Sequence, residues 1–225
     1  MFCCEIKMCY SASDSVIGFV IGMTSSCLLY YKGIKKNDGD YKMLAVFFMY
    51  ITFMQFWDFV FWKSQQQPAL NSIATKAAIL WNNFQPVVLF LLSRHFGSVK
   101  TPVTQQLSFY VLVAYMISAL PYTIQALQEI QSTKEQQVCA SAEGCQVIVW
   151  DWNIRSSGNI VYGLFLLSFC VTFFEQIRNS NLRIASIIAA IVTFAFSTVK
   201  YRVKRIVGRM WCFFAAFVPA MLLMV

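Results

Sequence analysis

The stretch MLAVFFMYITFMQFWDFVFW, Met43–Trp62, holds a single charged side chain, Asp58, and is closed at its ends by Lys42 and Lys63. A run of about 20 apolar residues is what a helix needs to cross a bilayer, and lysine at each end is how it anchors at the two interfaces. The composition extends this reading to the whole chain. Of its 225 residues, 58% are apolar and 12% charged, where a soluble domain has roughly 45–50% and about 25%. The mean hydropathy of +0.58 agrees. A water-soluble enzyme or binding domain is excluded.

Working outward from this run, six more blocks have spanning length: Ser15–Tyr31, Leu70–Leu92, Val103–Leu127, Asn159–Phe174, Leu182–Val199 and Ile206–Val225. Trp, Tyr, Lys or Arg stand at or near the block ends, as interfacial anchoring requires. The expected fold is all-α, a polytopic bundle of seven transmembrane helices with short loops, forming one transmembrane domain over residues 1–225. The one long connection, Gln128–Gly158, is expected to form a cap. The first block lacks a basic cluster before it, and Tyr30-Tyr31-Lys32 is not a small-residue cleavage site, so no cleavable signal is expected. Gln65-Gln66-Gln67-Pro68 reads as a turn, and Pro121 and Pro219 as kinks.

Orientation carries a conflict. The 1–2, 3–4 and 5–6 connections hold Lys32, Lys35, Lys36, Lys42, Arg94, Lys100, Arg178 and Arg183, which places the N-terminus outside or lumenal and the C-terminus in the cytoplasm. Against this, Lys200, Arg202, Lys204, Arg205 and Arg209 around the 6–7 connection would then face outward. The cysteines favour the first assignment: Cys139 and Cys145 share the long polar loop, and a disulfide there needs an oxidising compartment. Cys27, Cys170 and Cys212 fall inside spans and read as packing residues. The net charge of +8 is spread over helix ends, which fits anionic lipid head groups and not nucleic acid. An oligomer is compatible with the sequence and not specified by it.

Ionisable groups inside the bilayer are expensive, about 2.5–3.5 kcal/mol each at a helix centre on insertion scales. Asp58 lies roughly 7 Å inside the second span, with Gln55 one turn deeper. Lys76 lies at similar depth on the third span, so an Asp58–Lys76 ion pair is expected. Asn82, Asn83 and Gln85 follow on the third span and need partners. Asp14 and the run Trp150-Asp151-Trp152 are placed in the same layer, giving a polar cluster open toward the outer face. Its functional reading is a vestibule for an ion or small polar solute; its structural reading is interhelical glue.

Other chemistry is poorly supplied. His95 is the one histidine and follows Arg94 at a helix end, which argues against a histidine-rich zinc site or Ser-His catalysis. No glycine-rich phosphate loop occurs, and no metal or cofactor is expected. Lys204 precedes the last span, so the Schiff-base lysine of a retinal protein is missing.

From Met8-Cys9-Tyr10-Ser11 onward the chain resembles an uncharacterised family of small seven-span proteins from bacteria and large DNA viruses that open with Met-Cys-(Trp/Tyr/Phe)-Ser. The likeness continues through Tyr50–Asp58, Phe84-Gln85-Pro86, Trp150–Ile154 and Trp211-Cys212. It implies the seven-span fold and a start at Met8, and no activity. Bacterial members tend to carry an acid where Gln55 stands and a histidine near Trp81, so an acid–base or metal role for that pair is not implied here. The aromatic content and short loops look more like a viral member.

Three functions follow from this reading. One is small-solute or ion binding and permeation through Gln55, Asp58, Lys76, Asn82, Asn83 and Gln85. The second is a structural membrane protein of a virion or host-derived membrane. The third is an intramembrane enzyme with Cys9 or Ser11 as nucleophile.

Overall fold

The computed structural model describes residues 11–97, 102–137, 146–153, 158–201 and 206–225. Met8, Cys9, Tyr10, Cys139 and Cys145 lie outside the described residues.

Helix α1 (Ala12–Lys35) begins at a reciprocal cap: the Asp14 amide donates to Ser11 Oγ, and the Ser11 amide donates to Asp14 Oδ2 at 2.7 Å. Two donors that helix geometry leaves orphaned are thereby satisfied. Asn37 takes a left-handed conformation, φ 49°, which asparagine tolerates, and the chain reverses there. The Asp38 carboxylate accepts the Asp40 amide and starts α2 (Gly39–Lys63). Then follow α3 (Pro68–Asn83), α4 (Gln85–Phe96) and α5 (Leu107–Glu129). A short antiparallel ribbon pairs β1 (Glu135–Gln137) with β2 (Gln146–Ile148), and a 3-10 turn covers Asp151–Asn153. The chain closes with α6 (Gly158–Gln176), α7 (Ser180–Tyr201), α8 (Val207–Ala215) and α9 (Val218–Leu222).

Five helices, α1, α2, α5, α6 and α7, are long and apolar enough to cross a membrane. They mark the chain as a multi-pass integral membrane protein. The expected third and seventh spans differ from the sequence reading, because each is two helices. α3 parts from α4 at Phe84, and α8 from α9 at Ala216–Phe217; the stretch Val207–Leu222 is shorter than the five long helices. Proline is the cause in both. Pro86 and Pro219 stand in the first turns of α4 and α9, where they offer no N–H to the turn before. Pro121, expected to kink its span, lies inside an uninterrupted α5.

α2 is the central rod: 56% of its most apolar stretch is buried, against 22–39% in the other four. It packs on α1, α3, α4 and α8. Phe47 of α2 meets Phe169 of α6 at 5.1 Å between ring centroids, and Phe165 and Phe194 each meet Trp211 at 5.1 Å. This aromatic core fills the half of the bundle near the α2 N-terminus. Isoleucine, valine and leucine on the outer faces of α1, α5 and α7 stay exposed, as helix faces meeting lipid require.

The cap is sewn to the α2–α3 turn. Asn71 Nδ2 donates to the Thr133 carbonyl at 3.0 Å, and the Thr133 amide donates back to Asn71 Oδ1 at 2.8 Å. The Gln65 side chain bridges the Phe61 carbonyl and the Glu135 amide. The glutamine tract is thus a turn that also staples the cap.

Candidate functional site

Two polar layers lie between α2, α3, α5 and α8. In the layer nearer the cap, Asp58 is held by α8 and not by α3. Arg209 Nε donates to Asp58 Oδ2 at 2.6 Å, with both side chains 2% exposed. The Trp150 indole N–H donates to the other oxygen, Oδ1, at 3.1 Å. The Arg209 guanidinium also lies 5.7 Å from the Trp62 ring centroid. Trp152 stacks on Trp150 at 5.2 Å, so two buried indoles roof the acid. The expected Asp58–Lys76 pair is therefore corrected. The buried face of α3 is Asn71, Ala74, Thr75, Ala78, Ile79 and Asn82, a stripe at helical spacing that passes Lys76 by and leaves it exposed.

The deeper layer surrounds the α3–α4 break. Asn83 Nδ2 donates to Thr123 Oγ1 of α5 at 2.8 Å, and Asn82 Nδ2 reaches Asn83 Oδ1 and the Tyr162 hydroxyl of α6. The Cys212 thiol donates to Asn82 Oδ1 at 3.8 Å. Carbonyls beside the break take hydroxyl donors: Tyr115 donates to Asn83 O at 2.6 Å and Tyr50 to Trp81 O at 3.0 Å. In return the Trp81 indole donates to Tyr50 O, and the two rings stack at 4.3 Å. A broken helix inside a membrane persists only where neighbours satisfy its released backbone groups, and here tyrosines on α2 and α5 do so.

The glutamines behave differently. Gln55 is fully buried, with its carboxamide against Gly18 of α1, and neither of its polar side-chain atoms has a hydrogen-bond partner. Gln85 is buried with its side chain against the Cys212 thiol, and its Nε2 has no oxygen or nitrogen partner.

The structure thus unites Asp58, Trp150 and Trp152 in one layer and Asn82, Asn83 and Cys212 in the next, with Gln85 at its edge. Asp14 is spent on the α1 cap with Ser11, apart from that cluster, and Ser11 serves as the cap residue. Asp151 sits in the turn between the two indoles. Trp211 donates to Thr193 Oγ1 in the aromatic core. Among the described residues the fully buried indoles of Trp150 and Trp152 cover the cluster on the cap side. Among the described residues no group of three His, Cys, Asp or Glu gathers as metal ligands.

Sequence reasoning missed Arg209, Thr123, Tyr115 and Tyr162. Arg209 left a signal: it lies inside the expected seventh span, and a buried arginine needs an acid. The tyrosines and Thr123 left none. Comparison with protein-family models, with curated proteins and with solved structures finds no match.

Proposed function

We propose that the chain is a seven-span protein in which the rods α3–α4 and α8–α9 complete the bundle, and that the layer at the α3–α4 break binds and passes a small polar solute or ion. Asp58, Arg209 and Trp150 act as its outer lock. The observation carrying this reading is the interrupted helix with Gln85 at its break, a buried side chain whose Nε2 has no partner. Interrupted helices inside the bilayer are where many transporters build their solute sites. The N-terminus is outside. Arg209, paired with Asp58 in the interior, drops out of the outward-facing basic cluster that opposes this orientation, and the rest of that cluster remains. Basic helix ends on both faces suit anionic lipid head groups. Membership of the Met-Cys-(Trp/Tyr/Phe)-Ser family is part of this proposal and rests on the sequence motifs Met8–Ser11, Tyr50–Asp58, Phe84-Gln85-Pro86 and Trp211-Cys212.

The test is flux in proteoliposomes, using Na⁺, K⁺, Cl⁻, urea and glycerol with the natural protein and the Arg209→Met variant. The expected result is low flux of at least one species, raised when the lock is broken. If neither protein exceeds protein-free vesicles for any species, the structural reading stands in its place. A specific observation favours that second reading: Asn82, Asn83 and Asp58 are hydrogen-bonded within the bundle, as glue would be.

A further inference from the structure

A cavity with about 20 Å³ open to the centre of a water-sized molecule lies between α2, α4, α6, α7 and α8. Its wall is aromatic, with Phe47, Phe169, Phe173 and Trp211, and is interrupted by Gln85 and Ser186. Cavities lined by apolar groups alone stay dry, and one water needs about 10–15 Å³ measured this way together with two to four polar partners. Here Gln85 Nε2 and Ser186 Oγ are both buried and both lack a hydrogen bond. Ser186 is the more telling. Ser168 of α6 and Thr193, two turns along α7, donate to the carbonyl four residues back, the usual recourse of a hydroxyl in an apolar helix. Ser186 does not take it.

We infer that this cavity is a hydration site holding one water that bridges Gln85 of α4 to Ser186 of α7. The amide N–H donates to the water, and the water exchanges a hydrogen bond with the serine hydroxyl. No charged side chain lines the space, so the guest is neutral, and the volume limits it to about one water. The bridge extends the polar layer through Asn82, Cys212 and Gln85 to α7, whose apolar stretch is the least buried of the five long helices. It gives that helix a polar tie, and it stands whether or not any solute crosses the bundle.

Ser186→Val provides a test of sign. It removes the hydroxyl and fills the space. With a bridging water, the change expels the water and strands Gln85, so the thermal midpoint in detergent falls by about 3 °C or more, and adding Gln85→Met restores most of the loss. In a dry cavity the same change removes an orphan hydroxyl and fills a void, so the midpoint rises or holds, which overturns the inference. Radiolytic footprinting of the natural protein in ¹⁸O-water needs no variant to fold. Oxidation of buried Trp211 and Cys212 at short dose is expected beside a bound water, and their protection overturns the assignment.

Discussion

Replacing Arg209 by methionine leaves the Asp58 carboxylate, 2% exposed, facing the Trp150 indole N–H with no cation beside it. The attraction lost is about 4 kcal/mol for charge centres about 4 Å apart at an effective dielectric of about 20. That falls within the roughly 3–5 kcal/mol measured when one member of a buried pair is removed. For a chain of this length each kcal/mol moves the thermal midpoint by about 2–4 °C, so Arg209→Met should lower it by about 8–16 °C. Asp58→Asn strands the guanidinium and should cost a similar amount. The double variant removes both charges, keeps an acceptor for Trp150, and should lie within about 2 kcal/mol of the natural protein. The stacking of Arg209 on Trp62 is lost in both Arg209 variants and cancels from the cycle. The assay is thermal unfolding of the four proteins in one detergent. Losses that add to within about 0.5 kcal/mol would refute the pairing, as would coupling of Asp58→Asn to Lys76→Met in place of Arg209→Met.

A Cβ placed on Gly22 would stand 2.9 Å from the Ala216 carbonyl oxygen and 2.7 Å from Thr52 Cγ2, whereas one on Gly163 meets nothing within 4 Å; Gly22→Val should therefore collapse the yield of monodisperse protein while Gly163→Ala leaves it intact, and equal yields would refute the close approach of α1. Asp40 Oδ2 accepts the backbone amides of Arg178 and Asn179 at 2.8 and 3.0 Å, so Asp40→Ala should lose about 2 kcal/mol or more and open the α6–α7 turn to protease, with Asp40→Asn milder; an unchanged midpoint would sink this. Cys139 and Cys145 are expected to be disulfide-bonded. Mass spectrometry without reductant should find neither alkylated, and two alkylated thiols would remove that support for an outside N-terminus.

How far the fold could be read from the sequence depended on whether the deciding partner was local. The five long helices follow from blocks of apolar residues bounded by polar ends, a property of each block by itself. The breaks do not. Pro86, Pro121 and Pro219 all lie inside expected spans, yet α5 runs on through Pro121 and the other two interrupt their rods. At Pro86 the hydroxyls of Tyr50 and Tyr115 wait for carbonyls beside the break, and they come from residues 31 and 32 positions away. The acid was legible as needing a cation, and depth was the right criterion. Depth alone admits two cations, Lys76 on the next helix and Arg209, 151 residues away. Helical phase separates them, since the stripe Asn71, Thr75, Ala78, Asn82 turns Lys76 outward. Chain proximity was the weaker guide.

Whether a polar group inside a bilayer holds helices together or serves a guest is decided by what its atoms already do. A side chain whose donors and acceptors are engaged across a helix interface gives up those bonds to bind anything else, at about 1–3 kcal/mol for each buried group left unmet. Asp58 with Arg209 and Trp150, Asn83 with Thr123, and Asn71 with Thr133 are of this kind. They fix the register of α2, α3, α5, α8 and the cap, and a ligand competing for them starts at a disadvantage. Gln55, Gln85 and Ser186 are of the other kind, buried with polar atoms unmet. For them a guest relieves a desolvation cost in place of adding one. The residue that most resembles a site by charge, Asp58, is the one whose bonds a guest would have to break, whereas Gln55, Gln85 and Ser186 carry polar atoms that a guest would meet without breaking a bond.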